Sequence, residues 1–319
     1  MKNSKSGFTI LGECRIAIAT REFVVALFSL LLMISSSPAW AGDLSENLDI
    51  AYFQGQDFSD EKHRLDLIVP TERPVIATML WIHGGAWAFG DRKNDLELAR
   101  AFAREGVAVA AMSYRLSRGD WRGEEFSSTG VQHPEHIIDV ARAFAWLHHN
   151  ADKYGLDNRN LFVGGFSAGG HLSALLAMDD RYLNAHDLSP SDMRGALPVA
   201  GGYDLEAYYL AIAEGLGEEI AIGHVLGVFG PREGLPEASP ISYLQTASVP
   251  MLVLTEGETA AYTRTFDEAV TERGMTELIR FSYYDEETHA SLLASLSLKE
   301  SPSRKEMLNF IMSLVESKD

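Results

Sequence analysis

The sequence predicts an α/β protein built on a mostly parallel, doubly wound sheet, with helices on both faces and a small helical excursion over the sheet. Three observations carry this prediction. Short apolar runs alternate with segments of helical spacing. The run Leu161-Phe162-Val163 leads through Gly165-Phe166-Ser167-Ala168-Gly169 into a small-residue helix, and Met79-Leu80-Trp81-Ile82 leads into His83-Gly84-Gly85-Ala86-Trp87.

Taken in chain order, the first element is not part of that sheet. Lys2, Lys5, Arg15 and Arg21 precede an apolar block from Phe23 to Ile34, and Ser35-Ser36-Ser37-Pro38 leads to Ala39-Trp40-Ala41. A basic start, a short apolar stretch and small residues at a cleavage point mark a secretory signal. Residues 1–41 are therefore expected to be removed and the mature chain to begin at Gly42, in the periplasm or outside the cell. The apolar block has 12 residues, short of the roughly 20 that cross a bilayer. An uncleaved anchor is the alternative. The single cysteine, Cys14, lies in the segment to be removed, so the mature chain is expected to use neither disulfides nor thiolate chemistry.

Residues 42–319 suit one domain with a sizeable core, given 46% hydrophobic residues. Leu65-Asp66-Leu67-Ile68-Val69 alternates as an early strand, and Met79–Ile82 and Val107–Met112 read as buried ones. His133-Pro134 opens a helix whose apolar positions Ile137, Ile138, Ala141, Phe144, Ala145 and Leu147 recur at helical spacing. Ala196–Ala200, Met251–Leu254 and Phe281–Tyr284 read as further strands. The stretch Ser117–Gln132, with Trp121 and Phe126, is long for a simple connection and is expected to rim a site. Residues 202–240 read as a helical excursion that is either a cap touching substrate or a satellite core. The net charge of −18 disfavours nucleic acid and anionic membrane surfaces as partners, and solubility alone accounts for it.

Chemistry enters at Ser167. A serine hydroxyl becomes a nucleophile only where a base can take its proton, and a tight strand-to-helix turn lifts it clear of the sheet. Glycines at positions 165 and 169 permit such a turn, and the helix start turns the Ala168 N–H toward negative charge on a bound carbonyl oxygen. Gly84 and Gly85, following a buried strand, are expected to offer two more backbone donors. His83 precedes them in a segment that presents backbone, so it is expected to brace the loop rather than act as a base.

His83-Gly84-Gly85-Ala86-Trp87, Ser113-Tyr114-Arg115-Leu116 and Gly165-Phe166-Ser167-Ala168-Gly169-Gly170-His171 together resemble the HGG-type α/β-hydrolase esterases and lipases. That group includes hormone-sensitive-lipase-like carboxylesterases, feruloyl and acetyl-xylan esterase-like enzymes and kynurenine-formamidase-like amidases. The similarity spans residues 60–317 and is motif-specific as far as Met178. Ala86 stands where many members have a third glycine.

The resemblance implies an α/β-hydrolase fold whose catalytic residues follow in the order serine, acid, histidine. Of the ten histidines, His289 alone lies beyond His224, and it follows the aromatic strand in a loop, which makes it the candidate base. The acid is less determined. After the Met251–Leu254 strand the chain reads Thr255-Glu256-Gly257-Glu258-Thr259, with no aspartate before Asp267. Counting from Pro250 favours Glu258, with Glu256 the competitor. The expectation is thus a serine esterase using Ser167, Glu258 and His289, with Gly84, Gly85 and Ala168 as the oxyanion hole. No metal or organic cofactor is expected. The substrate would be a small-molecule or carbohydrate-linked ester, with short acyl chains preferred. Amide hydrolysis of the formamidase kind is the near alternative, and an inactive binding protein on the same fold the remote one.

Overall fold

A computed structural model describes residues 43–118 and 130–316. The expected signal segment and the rim residues Trp121 and Phe126 lie outside the described residues.

Among the described residues eight strands form one sheet in the order β1-β2-β4-β3-β5-β6-β7-β8. They are β1 Leu44–Ala51, β2 Arg64–Pro70, β3 Ala77–Ile82, β4 Val107–Met112, β5 Leu161–Phe166, β6 Gly195–Val199, β7 Met251–Glu256 and β8 Ile279–Tyr284. From β4 to β8 every neighbouring pair is parallel, while β2 runs antiparallel to both β1 and β4. The central strands β3, β4, β5, β6 and β7 are buried along their whole length. That is what continuous apolar runs such as Val107–Met112 require, because helices cover both faces of a parallel sheet. The edge strand β1, LSENLDIA, is half-exposed and polar, and its fragmentary alternation gave no strand signal.

Among the described residues seven longer helices complete the layers: α1 Leu96–Ala103, α2 Glu135–Asn150, α3 Ala168–Met178, α4 Leu205–Leu216, α5 Ala260–Glu272, α6 His289–Ser295 and α7 Pro302–Glu316. Val140, Phe144 and Leu147 of α2 and Leu172 and Leu175 of α3 share one core with the sheet. Leu98 and Phe102 of α1 and Met307 and Phe310 of α7 belong to a second core with Trp81, Phe162 and Leu252. The expected doubly wound sheet with helices on both faces is present.

Residues 202–240 are helical, comprising α4 and a string of short turns from Glu218 to Ala238. Tyr203, Tyr209, Val225 and Phe229 are buried and join the main core, whereas Leu210 is 50% exposed. The excursion is therefore at least a satellite of the core.

The chain passes from β3 outward to β4 and then back across to β5, so β3 and β5 flank the point where strand order reverses. In open α/β sheets such a point leaves a crevice at the carboxyl ends of the strands. Both glycine motifs sit there, one after each strand.

Candidate active site

Ser167 occupies the turn between β5 and α3 at φ +55°, ψ −115°, a strained setting for an L residue. Neighbouring backbone explains the flanking glycines. A Cβ on Gly165 would lie 2.4 Å from the Gly169 carbonyl oxygen, and one on Gly169 would lie 2.0 Å from that of Ile82. Side chains at either place would push α3 off the end of β3. The Ser167 N–H donates to Val199 O at 2.8 Å, and its carbonyl accepts from His171 N at 3.0 Å. The serine is thereby tied to β6 on one side and to its own helix on the other.

Gly84 faces this turn, for a Cβ there would stand 3.2 Å from Ser167 Cβ. Beyond it the loop folds on the Gly85 carbonyl, which accepts from Ala88 N and Phe89 N. Ala168 is the first residue of α3, so its N–H has no acceptor within the helix. Of the expected donors, Gly84 thus lies against the serine turn and Ala168 follows the serine directly. His83 stacks on Tyr114 at 4.4 Å, and its Nδ1 donates to Gly84 O at 2.7 Å. Burial lowers its pKa to about 4, so it is a neutral brace for the loop.

His289 is the first residue of α6, with Thr288 as its N-cap, rather than a loop residue ahead of the helix. Its ring lies 4.5 Å from that of Phe166, which brings it beside the serine turn. The expected pairing with Glu258 is corrected here. Nδ1 of His289 lies 2.9 Å from Glu256 Oε1, while Glu258 accepts the His289 backbone N–H at 3.2 Å. The reason is where β7 ends. The strand runs two residues past Leu254 to Glu256, so Glu256 projects from its carboxyl tip and Glu258 falls in the turn beyond. That turn also feeds the N–H groups of Glu258 and Thr259 to Glu256 Oε2.

Glu256 is fully buried. Burial on its own would raise its pKa, but the hydrogen bond and charge of His289, with Thr259 and the Glu258 N–H, outweigh that and hold it below the usual glutamate value. A carboxylate so placed fixes the imidazole with its proton on Nδ1, leaving Nε2 as a base. Ser167 Oγ and His289 Nε2 share no hydrogen bond in this conformation, and such contacts often close only around substrate. Among the described residues no three or more His, Cys, Asp or Glu side chains are grouped to hold a metal ion.

Residues 65–261, from β2 into α5, match the model of the BD-FAE family. The chain belongs to that family. The match includes both glycine motifs, Ser167 and Glu256, and ends ahead of His289. The chain is 29% identical to the probable carboxylic ester hydrolase LipM of Mycobacterium tuberculosis over 223 residues, 66% of this chain and 48% of LipM. It is 30% identical to the esterase LipQ of the same organism over 247 residues, 72% of this chain and 54% of LipQ. The chain thus spans about half the length of these curated relatives. Esterase B of Lactobacillus rhamnosis superimposes with a TM-score of 0.70 at 19% identity, over 94% of this chain and 93% of that one. The fold is that of the α/β-hydrolases.

Proposed function

We propose that this BD-FAE member hydrolyses carboxylic esters through an acyl-serine intermediate. The observation that carries the reading is the buried Glu256 on His289, beside a serine held at positive φ at the start of a helix. The esterase names of LipM and LipQ agree with it.

In this reading Ser167 Oγ attacks the ester carbonyl while His289 Nε2 takes its proton and passes it to the leaving alcohol. Glu256 holds Nδ1–H and balances the imidazolium. The N–H groups of Gly84, Gly85 and Ala168 receive the carbonyl oxygen as it gains charge, and water repeats the sequence to release the acid. Trp87 is buried two residues past Gly85 and Tyr208 packs beside Gly202, and in this reading the Trp87 loop and the helical excursion bound the acyl side of the site. That supports a preference for acetyl to butyryl esters. The sequence of residues 1–41 supports export with a mature amino terminus at Gly42, in the periplasm or medium.

Fluorophosphonate labelling tests the chemistry: Ser167 should be modified, and Ser167→Ala should not. A chain-length series of aryl esters tests the pocket, and turnover of palmitoyl faster than butyryl esters overturns that part. Faster cleavage of N-formyl amides than of any ester would move the assignment to amidase. Mass spectrometry of the exported protein reads the mature terminus, and retention of residues 1–41 defeats the processing claim.

A further inference from the structure

Two consecutive residues in the glycine loop, Ala86 and Trp87, hold φ of +54° and +58°. Left-handed backbone is unfavourable for L side chains and persists only where the surroundings hold it. The holding group is Trp87. Its indole is 2% exposed and meets Phe229 at 4.8 Å, His171 at 5.3 Å and Tyr208 at 6.1 Å between ring centres, while its carbonyl accepts from Ser117 N.

The polar end of that indole is specific. Trp87 Nε1 lies 3.3 Å from His171 Nδ1, and His171 Nε2 lies 2.8 Å from Ala238 O. An indole nitrogen can only donate and a carbonyl can only accept. His171 is therefore neutral, with its proton on Nε2 and its Nδ1 lone pair toward Trp87. Burial lowers its pKa to about 3, which keeps it in that form. His171 also sits on the first turn of α3, where its N–H binds Ser167 O.

We propose that His171 is a positioning residue, which clamps the loop carrying Gly84 and Gly85 to the helix turn carrying Ser167 by accepting the Trp87 indole N–H. This rests on the reading of Ser167 as nucleophile and of those glycines as oxyanion donors. The clamp spans 84 residues of sequence and sets how far the donors stand from the attacking oxygen. Its second hydrogen bond, to Ala238, ties the end of the helical excursion to the same side chain.

The test compares Trp87→Phe, which keeps an aromatic ring without the donor, with His171→Leu and His171→Asn. Each is assayed on butyryl esters as kcat per serine titrated by fluorophosphonate, with KM and the affinity of an alkyl boronic acid, whose serine adduct is a tetrahedral anion. Trp87→Phe and His171→Leu should lower kcat per titrated serine about 10- to 100-fold, less than the roughly 10²–10³ lost with a whole oxyanion donor. KM should change little, and boronate affinity should fall by the same factor as kcat. His171→Asn should recover most of the rate, since its Oδ1 can stand where Nδ1 did. Trp87→Phe combined with His171→Asn should be no slower than Trp87→Phe alone. A smaller titratable fraction at unchanged kcat per serine means that the contact only supports folding and overturns the proposal, as does wild-type kcat in His171→Leu. A wild-type protein that is not titrated at Ser167 overturns the hydrolase reading and this inference with it, whereas a titratable wild type with unaltered variants overturns the clamp alone.

Discussion

His289 Nδ1 lies 2.9 Å from Oε1 of Glu256, a carboxylate with no exposure to solvent, and the nearby Glu258 touches the same histidine only at its backbone. Two acids therefore serve one residue in different ways. Glu256 can stabilise charge on the imidazole, while Glu258 steadies the start of α6.

The first prediction separates them. Glu256→Gln places an amide against Nδ1, which disturbs the tautomer, so kcat should fall by about 10³–10⁴. Glu258→Gln keeps an oxygen that can accept the His289 N–H, so its kcat should stay within about tenfold of wild type. Steady-state kinetics with a butyryl ester reads both, and the reverse order would return the role to Glu258.

In the proposed mechanism Ser167 and His289 share one proton transfer. Ser167→Ala and His289→Ala should each remove several orders of magnitude of turnover, and the double variant should be hardly slower than either, because members of one catalytic unit are strongly non-additive. Losses that multiply would mean separate roles.

Much of this was legible locally. Gly165, Ser167 and Gly169 announce the turn because the crowding that demands glycine lies within a few residues and one neighbouring strand. The core strands announce themselves because burial on both faces leaves a continuous apolar run. The choice of Glu256 over Glu258 was not legible, since it depends on β7 continuing through Thr255 and Glu256, two polar residues that read as loop but are fully buried. Strand β1 was hidden by its half-exposed, charged pattern. The contact of Trp87 with His171 has no local signal at all, because only the folded sheet brings β3 and α3 together.

Packing at the turn yields a further test. Gly169→Ala would put a methyl 2.0 Å from Ile82 O and 2.9 Å from His83 O, backbone atoms that cannot swing aside. The helix must move, carrying Ser167 away from Gly84. The variant should lose about 1–3 kcal/mol of stability, as overpacked sites do, together with most of its activity. Gly215→Ala in α4 is the control, for a Cβ there meets nothing within 4 Å. That change should stabilise the fold by about 0.5–1 kcal/mol and leave turnover intact. Thermal melts and activity assays on the two variants should diverge in this way, and an active, stable Gly169→Ala would contradict the close approach of α3 to β3.

The last prediction concerns pH. Asp95 lies behind β3, 6% exposed, with the Trp81 indole donating to its Oδ2 at 2.9 Å. Burial raises its pKa from 3.8 to about 6, only partly offset by that hydrogen bond. A carboxyl whose folded pKa lies above its unfolded one holds its proton more tightly in the native state. Its contribution is therefore complete below pH 3.8 and is lost as pH rises to about 6. A shift of this size corresponds to about 2–3 kcal/mol. Asp95→Asn stays neutral at all these values and can still accept from Trp81. Compared with wild type, the variant should gain stability steadily between pH 4 and 6 and hold that gain of about 2–3 kcal/mol at pH 8. Denaturant melts of both proteins at pH 4, 5, 6 and 8 measure the difference directly, since groups common to the two cancel. A stability difference that does not change with pH would show that Asp95 titrates alike in the folded and unfolded protein, and would overturn the upward shift.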